Sequence, residues 1–203
     1  MTTEHDEAIV ERVEGTGLPL RGHAIDTDRI MPARFLRAVT FDGLEAHVFE
    51  DDRQQQGLSH PFDNPAFRGA AVLIVNEGFG SGSSREHAPQ GLRRWGIQAI
   101  VGESFSEIFF GNALKLGMPC LTAPAEDVER LMELVETRPD TRLQIDLRAL
   151  TVTAGDRTVA LTMPPAAQEA LLAGTWDATS LLLNDYVAVE ETARRLPYVS
   201  GAW

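Results

Sequence analysis

Two hydrophobic periods divide this chain, and its second half is the easier to read. Val72, Leu73, Ile74 and Val75 form an unbroken apolar run within 71–76, the pattern of a strand buried on both faces. A helical period follows from Ser83 to Trp95, then a strand at 97–101, a helix over 106–116 and a short strand over 118–122. Residues 125–137 are amphipathic, with Val128, Leu131, Met132 and Val135 on one face. This β-α-β-α-β-α order predicts a parallel sheet with right-handed crossovers. Between 142 and 162 the period becomes two: Leu143, Ile145 and Leu147, then Val152, Val159 and Leu161, alternate with polar residues. Gly155-Asp156 supplies a hairpin turn there. Two helices are expected near 165–173 and 178–195.

The first third is weaker. Residues 1–18 read as a polar, glycine-containing loose or edge segment, and Pro19 to Ile25 as a short strand. In Asp26-Thr27-Asp28-Arg29-Ile30-Met31-Pro32 the acids suit a turn, closing on backbone N–H groups. A helix start with Pro32 in its first turn follows at 32–37. From about 38 to 69 no apolar period is visible, and Pro61, Asn64 and Pro65 interrupt regular structure. So long an unpatterned stretch is uncommon inside a compact domain. It reads either as a substrate or partner loop or as a passive excursion. No repeat or interdomain linker appears, so a single domain over 1–203 is expected.

Charge and composition narrow the classes. Hydrophobic content of 43% suffices for a packed core, and a net charge of −12 from 30 acidic and 18 basic residues argues against nucleic acid as a partner. No long apolar stretch suggests a membrane span or signal peptide, so a cytoplasmic location is the expectation. Cys120 is the one cysteine. Alone it makes no internal disulfide and holds no zinc or iron–sulfur centre, and it reads as a buried, inert thiol. His23, His47, His60 and His87 are scattered without ligand spacing, so no metal site is expected in this chain.

The chemistry concentrates in Gly78-Phe79-Gly80-Ser81-Gly82-Ser83-Ser84-Arg85-Glu86-His87-Ala88. It reads as a tight glycine turn after a buried strand, then a helix starting at Ser83, with Ser83-x-x-Glu86 as a capping box. A helix start presents free N–H groups and the positive end of its dipole. Arg85 adds a planar fork suited to carboxylates. A dinucleotide fingerprint fails because Ser83 stands where the third glycine belongs, and neither Gly-Lys-Ser/Thr nor Gly-x-Ser-x-Gly occurs in the segment. Ser83 and His87 share a helix face, but a base on the nucleophile's own helix is not a usual triad, and His87 reads as a structural hydrogen-bonding residue. What remains is a site that holds a polycarboxylate and moves a proton, where a serine alkoxide is stabilised by the helix end and Arg85.

Gly80-Ser81-Gly82-Ser83-Ser84-Arg85-Glu86-His87-Ala88-Pro89 closely resembles the signature of the aconitase superfamily's swivelling domain, in particular the small subunits of the bacterial isopropylmalate dehydratases. Residues 26–36 resemble the family's "DTD-x-I-x-PA-x-FL" stretch, and 96–100, 104–109 and Asn112 match the segment after the serine helix. The likeness is strong over about 18–122. It implies a three-layer β/β/α swivelling domain of the α/β class, with a mostly parallel central sheet and flanking helices. It implies a heterodimer or higher assembly with a separate large subunit, which carries a 4Fe-4S cluster on three cysteines; this chain holds no cofactor. The implied reaction is that of a hydro-lyase of leucine biosynthesis: water is removed from a dicarboxylate, 2-isopropylmalate, and added back to give 3-isopropylmalate, the open iron acting as Lewis acid. By resemblance Ser83 is the catalytic base, Ser84 and Arg85 hold carboxylates, and Asp28 lines the same pocket. Arg37 lies in the segment that selects the substrate side chain. There it either pairs with an extra carboxylate, as a homoaconitase-type substrate needs, or faces solvent; a methyl-substituted malate is a further alternative substrate. Two readings of another class stand beside this one: a stand-alone serine hydrolase using Ser83 and His87, and a non-catalytic carboxylate-binding module.

Overall fold

A segment that reads as a loose edge forms the centre of the fold. The computed structural model describes residues 9–38, 40–82, 85–177 and 186–200. The chain runs β1 (Arg12–Leu20), α1 (Thr27–Ile30), 3-10 turns at Ala33–Arg37 and Leu44–His47, α2 (Glu50–Gln56), and 3-10 turns at Gly57–Ser59 and Pro65–Phe67. It continues through β2 (Val72–Val75), α3 (His87–Trp95), β3 (Ala99–Gly102), α4 (Glu107–Leu114), β4 (Cys120–Thr122) and α5 (Ala125–Thr137). The last part holds β5 (Arg142–Asp146), β6 (Thr151–Ala154), β7 (Arg157–Ala160), α6 (Pro165–Ala173), α7 (Tyr186–Arg195) and α8 (Pro197–Ser200). The helix expected at 178–195 begins outside the described residues, and α7 is its described part.

One seven-stranded sheet, in the order β4-β3-β2-β1-β5-β6-β7, joins a parallel half to an antiparallel half at β1. The expected loose or edge segment is therefore corrected: Arg12–Leu20 is a nine-residue central strand, and the strand ends at Leu20 rather than running to Ile25. The reason is close packing. A Cβ on Gly17 would lie 2.9 Å from Val135 Cγ2 of α5. The glycine that suggests a break in the sequence is a point of close helix–sheet approach. At the end of β1, Arg21 fastens the strand to α5 by donating to Glu129 (2.8 and 2.9 Å) and Glu136 (2.6 and 2.9 Å).

In the parallel half, Leu18, Leu73, Ile100 and Cys120 pair in one buried row across β1 to β4. Burial on both faces explains why these strands read as apolar runs. It also pushes the Cys120 thiol well above its ordinary pKa. The antiparallel half turns at Gly155-Asp156 between the paired residues Ala154 and Arg157, as the alternation predicts. After β7 the chain returns to the far edge, where Thr162 and Thr122 of β4 exchange two backbone hydrogen bonds of 2.8 Å.

The stretch 38–69 is packed rather than unstructured. Leu44, Val48, Phe49, Phe62 and Phe67 join the same hydrophobic cluster as the strands. No period announces them because short 3-10 turns replace long helices. From α2, Arg53 donates to Ala46 O (3.0 Å), Val48 O (3.1 Å) and Asp63 Oδ1 (2.9 and 2.6 Å). That guanidinium holds the Asp63 carboxyl below its usual pKa.

His60 is buried against Phe49 and Phe62, and its Nδ1 accepts from Phe62 N–H at 3.2 Å. Burial lowers its pKa, so the folded chain resists a proton that the unfolded chain accepts near pH 6.5. This contribution to stability is complete above that pH and is lost as pH falls toward the lower, folded-state value. We expect the urea midpoint to drop between about pH 7.5 and 5.5, and His60→Asn to flatten that slope. Equal slopes in both proteins would assign the effect to another group.

Candidate active site

The parallel strands end together, and ligand sites in such sheets form outside their carboxyl ends. Backbone hydrogen bonds assemble the loops there. Ala24 N–H donates to Glu77 O, Gly80 N–H to Ile25 O and Thr27 N–H to Ser81 O, each at 2.8 Å. On the other flank Phe79 N–H donates to Ser104 O at 3.1 Å, Ser106 N–H to Phe79 O at 3.0 Å, and Gly78 N–H to Ser104 Oγ at 2.9 Å. Asn76, buried just after β2, accepts from Gly22 N–H (2.9 Å) and donates to Glu103 (2.8 Å). The glycine turn after β2 is thus held between the loops that follow β1 and β3. Gly80 has φ +75°, and a Cβ there would lie 2.3 Å from Phe109 Cγ. Only glycine meets both demands.

The helix after the turn starts later than the sequence pattern suggests. Its first residue is His87, with Glu86 at the cap position and no side-chain cap bond. Pro89 supplies the reason. In a helix starting at His87 it falls in the first turn, where its missing N–H is harmless; in one starting at Ser83 it would remove a bond from the interior. Glu86 instead accepts from Gln90 Nε2 at 3.3 Å. Ser83 and Ser84 lie outside the described residues.

Of the remaining candidates, the structure brings two together. Asp28 lies in the single turn α1, whose cap Asp26 accepts from Arg29 N–H at 2.8 Å, and Asp28 Oδ1 forms an ion pair with Arg85 Nη1. The Arg85 side chain is 17% exposed and that of Asp28 53%, so the guanidinium is mostly enclosed and the carboxylate is open to solvent. Asp26 keeps the turn role its sequence suggests. Arg37 is exposed at the end of the Ala33–Arg37 turn, and among the described residues no ion pair or hydrogen bond joins it to Asp28 or Arg85. His87 is not the hydrogen-bonding residue expected. Its ring meets Phe41 edge-on at 5.1 Å, and Nε2 is buried with no hydrogen-bond partner among the described residues. Asn76 and Ser104 are the positioning residues that the sequence reading misses. Their signal was present: each is a polar residue at or shortly after the end of an apolar run.

No His/Cys/Asp/Glu cluster suited to a metal ion occurs among the described residues, and no described helix is long and apolar enough to cross a membrane. A parallel half-sheet with a glycine turn pinned between two loops, and an arginine just beyond it, places the chain in a known class. Residues 7–126 match the aconitase C-terminal domain family, and the chain belongs to that family. It is 51% identical over 190 residues to the 3-isopropylmalate dehydratase small subunit of Synechocystis, covering 94% of this chain and 95% of that one. A small subunit of the same name from Thermus thermophilus is 48% identical over 92% of this chain and 94% of its own. A crystal structure of 3-isopropylmalate dehydratase from Methanocaldococcus jannaschii shares the fold, with a TM-score of 0.62 over 86% of this chain and 99% of that one at 22% identity.

Replacing Gly80 tests the turn. Gly80→Ala should cost about 2–4 kcal/mol, combining left-handed strain with overpacking against Phe109. Urea unfolding measures it, and a change under about 0.5 kcal/mol, the scale of an ordinary surface substitution, would contradict the assignment.

Proposed function

We propose that this chain is the small subunit of a 3-isopropylmalate dehydratase, a hydro-lyase active with a large subunit, which isomerises 2-isopropylmalate to 3-isopropylmalate by dehydration and rehydration in leucine biosynthesis. The observation that carries the proposal is the Asp28–Arg85 pair beside the glycine turn. A mostly enclosed guanidinium held by a solvent-exposed carboxylate is prepared to bind a substrate carboxylate in a planar, two-point contact. The names of relatives that align along most of the chain support the substrate.

In this reading Ser83 removes the proton from the carbon next to a carboxylate, and Ser84 and Arg85 hold the substrate. Asp28 orients Arg85. Arg37, exposed on this chain, lines the segment that faces the substrate side chain. A 4Fe-4S cluster does not fit this chain: it requires several thiolates, whereas Cys120 is single, buried in β4 and kept protonated by that burial. We place the cluster on the large subunit. This chain's share of the reaction is holding the carboxylates and moving the proton.

Mixing the chain anaerobically with an iron–sulfur large subunit should produce dehydratase activity that neither protein has alone. Ser83→Ala should assemble normally while turnover falls by about 10²–10⁴. Full turnover in that complex would remove Ser83 from the mechanism. Arg85→Lys should raise KM, since the planar fork is lost. Unchanged KM and kcat would exclude Arg85 from substrate binding.

A further inference from the structure

The Asp28 turn is held from outside the site by α2. This helix opens with Glu50, Asp51 and Asp52, and each reaches a basic side chain on the preceding segment. Asp52 Oδ2 accepts from Arg29 Nε at 3.1 Å and from Nη2 at 2.8 Å. Asp51 accepts from both terminal nitrogens of Arg34 at 3.0 and 2.7 Å, and Glu50 lies 2.6 Å from His47 Nδ1. Phe49 N–H adds a backbone bond to Ile30 O at 2.9 Å. Phe49 itself is buried with φ +53°, a left-handed conformation that bulky residues rarely adopt. The head of α2 is therefore built, at some conformational strain, against α1.

The element it holds needs holding. α1 has four residues, too few to persist unaided. Arg29, next to Asp28, is fixed twice: its backbone N–H by Asp26 and its side chain by Asp52. The Asp52 side chain is 15% exposed and that of Asp51 49%, so the Asp52 contact is the less screened by water.

We infer that Asp52 is a positioning residue for the Asp28–Arg85 pair: through Arg29 it fixes α1 so that Asp28 meets Arg85, and thereby sets how readily that guanidinium takes a substrate carboxylate. The inference rests on the substrate-binding role of Arg85 proposed above. It differs from a general stabilising role in what it alters, namely substrate affinity and not the amount of folded enzyme.

The test uses the full chain reconstituted with its large subunit. Asp52→Asn should raise KM for 2-isopropylmalate about tenfold with kcat within about threefold, because a displaced holding group weakens a positioned contact. Asp52→Glu should restore most of the loss, and Asp51→Asn, one residue along the same helix, should leave KM near wild type. Asp28→Asn combined with Asp52→Asn should be no worse than Asp28→Asn alone, since coupled residues do not add. If Asp52→Asn fails to assemble, Arg29→Gln replaces it with the same expected KM. Unchanged KM, an equal effect from Asp51→Asn, or effects that multiply with Asp28→Asn would each overturn the inference. Should Arg85→Lys raise KM while Asp52→Asn does not, only this inference falls; should Arg85→Lys also leave KM unchanged, the functional reading falls with it.

Discussion

Three main-chain hydrogen bonds, from Ala24 to Glu77, Gly80 to Ile25 and Thr27 to Ser81, hold two loops side by side beyond the end of the sheet. The rest of the site depends on them. They use backbone groups that every residue carries, so their geometry is set by chain path and not by side-chain rotamers. Because the 24–27 segment leads directly into α1 and the 77–81 segment leads toward Arg85, this pairing fixes where Asp28 and Arg85 meet. Gly80 lets the turn lie against Phe109, which joins the site to α4 and the core.

The chain's acidity takes on a different aspect in three dimensions. With 30 acidic residues against 18 basic ones, self-repulsion would be the first expectation. Around the first third of the fold, however, the acids serve as holders of arginine: Asp52 on Arg29, Asp51 on Arg34, Asp63 on Arg53 and Asp28 on Arg85. Such pairs near the surface contribute little stability singly. Their value is geometric, since they order a segment whose turns are too short to order themselves.

Much of the fold was legible because its signals are local. The apolar runs of β2, β3 and β4, the amphipathic face of α5 and the Gly155-Asp156 hairpin each declare themselves within a few residues. Where the decisive contact lies far along the chain, local reading fails. Gly17 in β1 makes sense only once Val135 is placed above it, and the apolar residues of 38–69 only once the sheet they cover exists. The start of α3 was readable in principle, but the Ser83-x-x-Glu86 pattern outweighed Pro89, the stronger physical constraint. For the site, the glycine turn and Arg85 were found from composition and spacing. The family likeness put Asp28 in the same pocket, but that Arg85 is the residue it meets came only from the structure, because nothing in the spacing of the two announces it.

The exchange between Thr122 and Thr162 bears on how this molecule can associate. Open strand edges invite a neighbouring chain to add itself by backbone pairing. At β4 that route is shut at Thr122, since the chain has folded its own later segment onto the exposed side. A companion protein that approaches this end must therefore recognise side chains and loop shapes, and cannot simply extend the sheet.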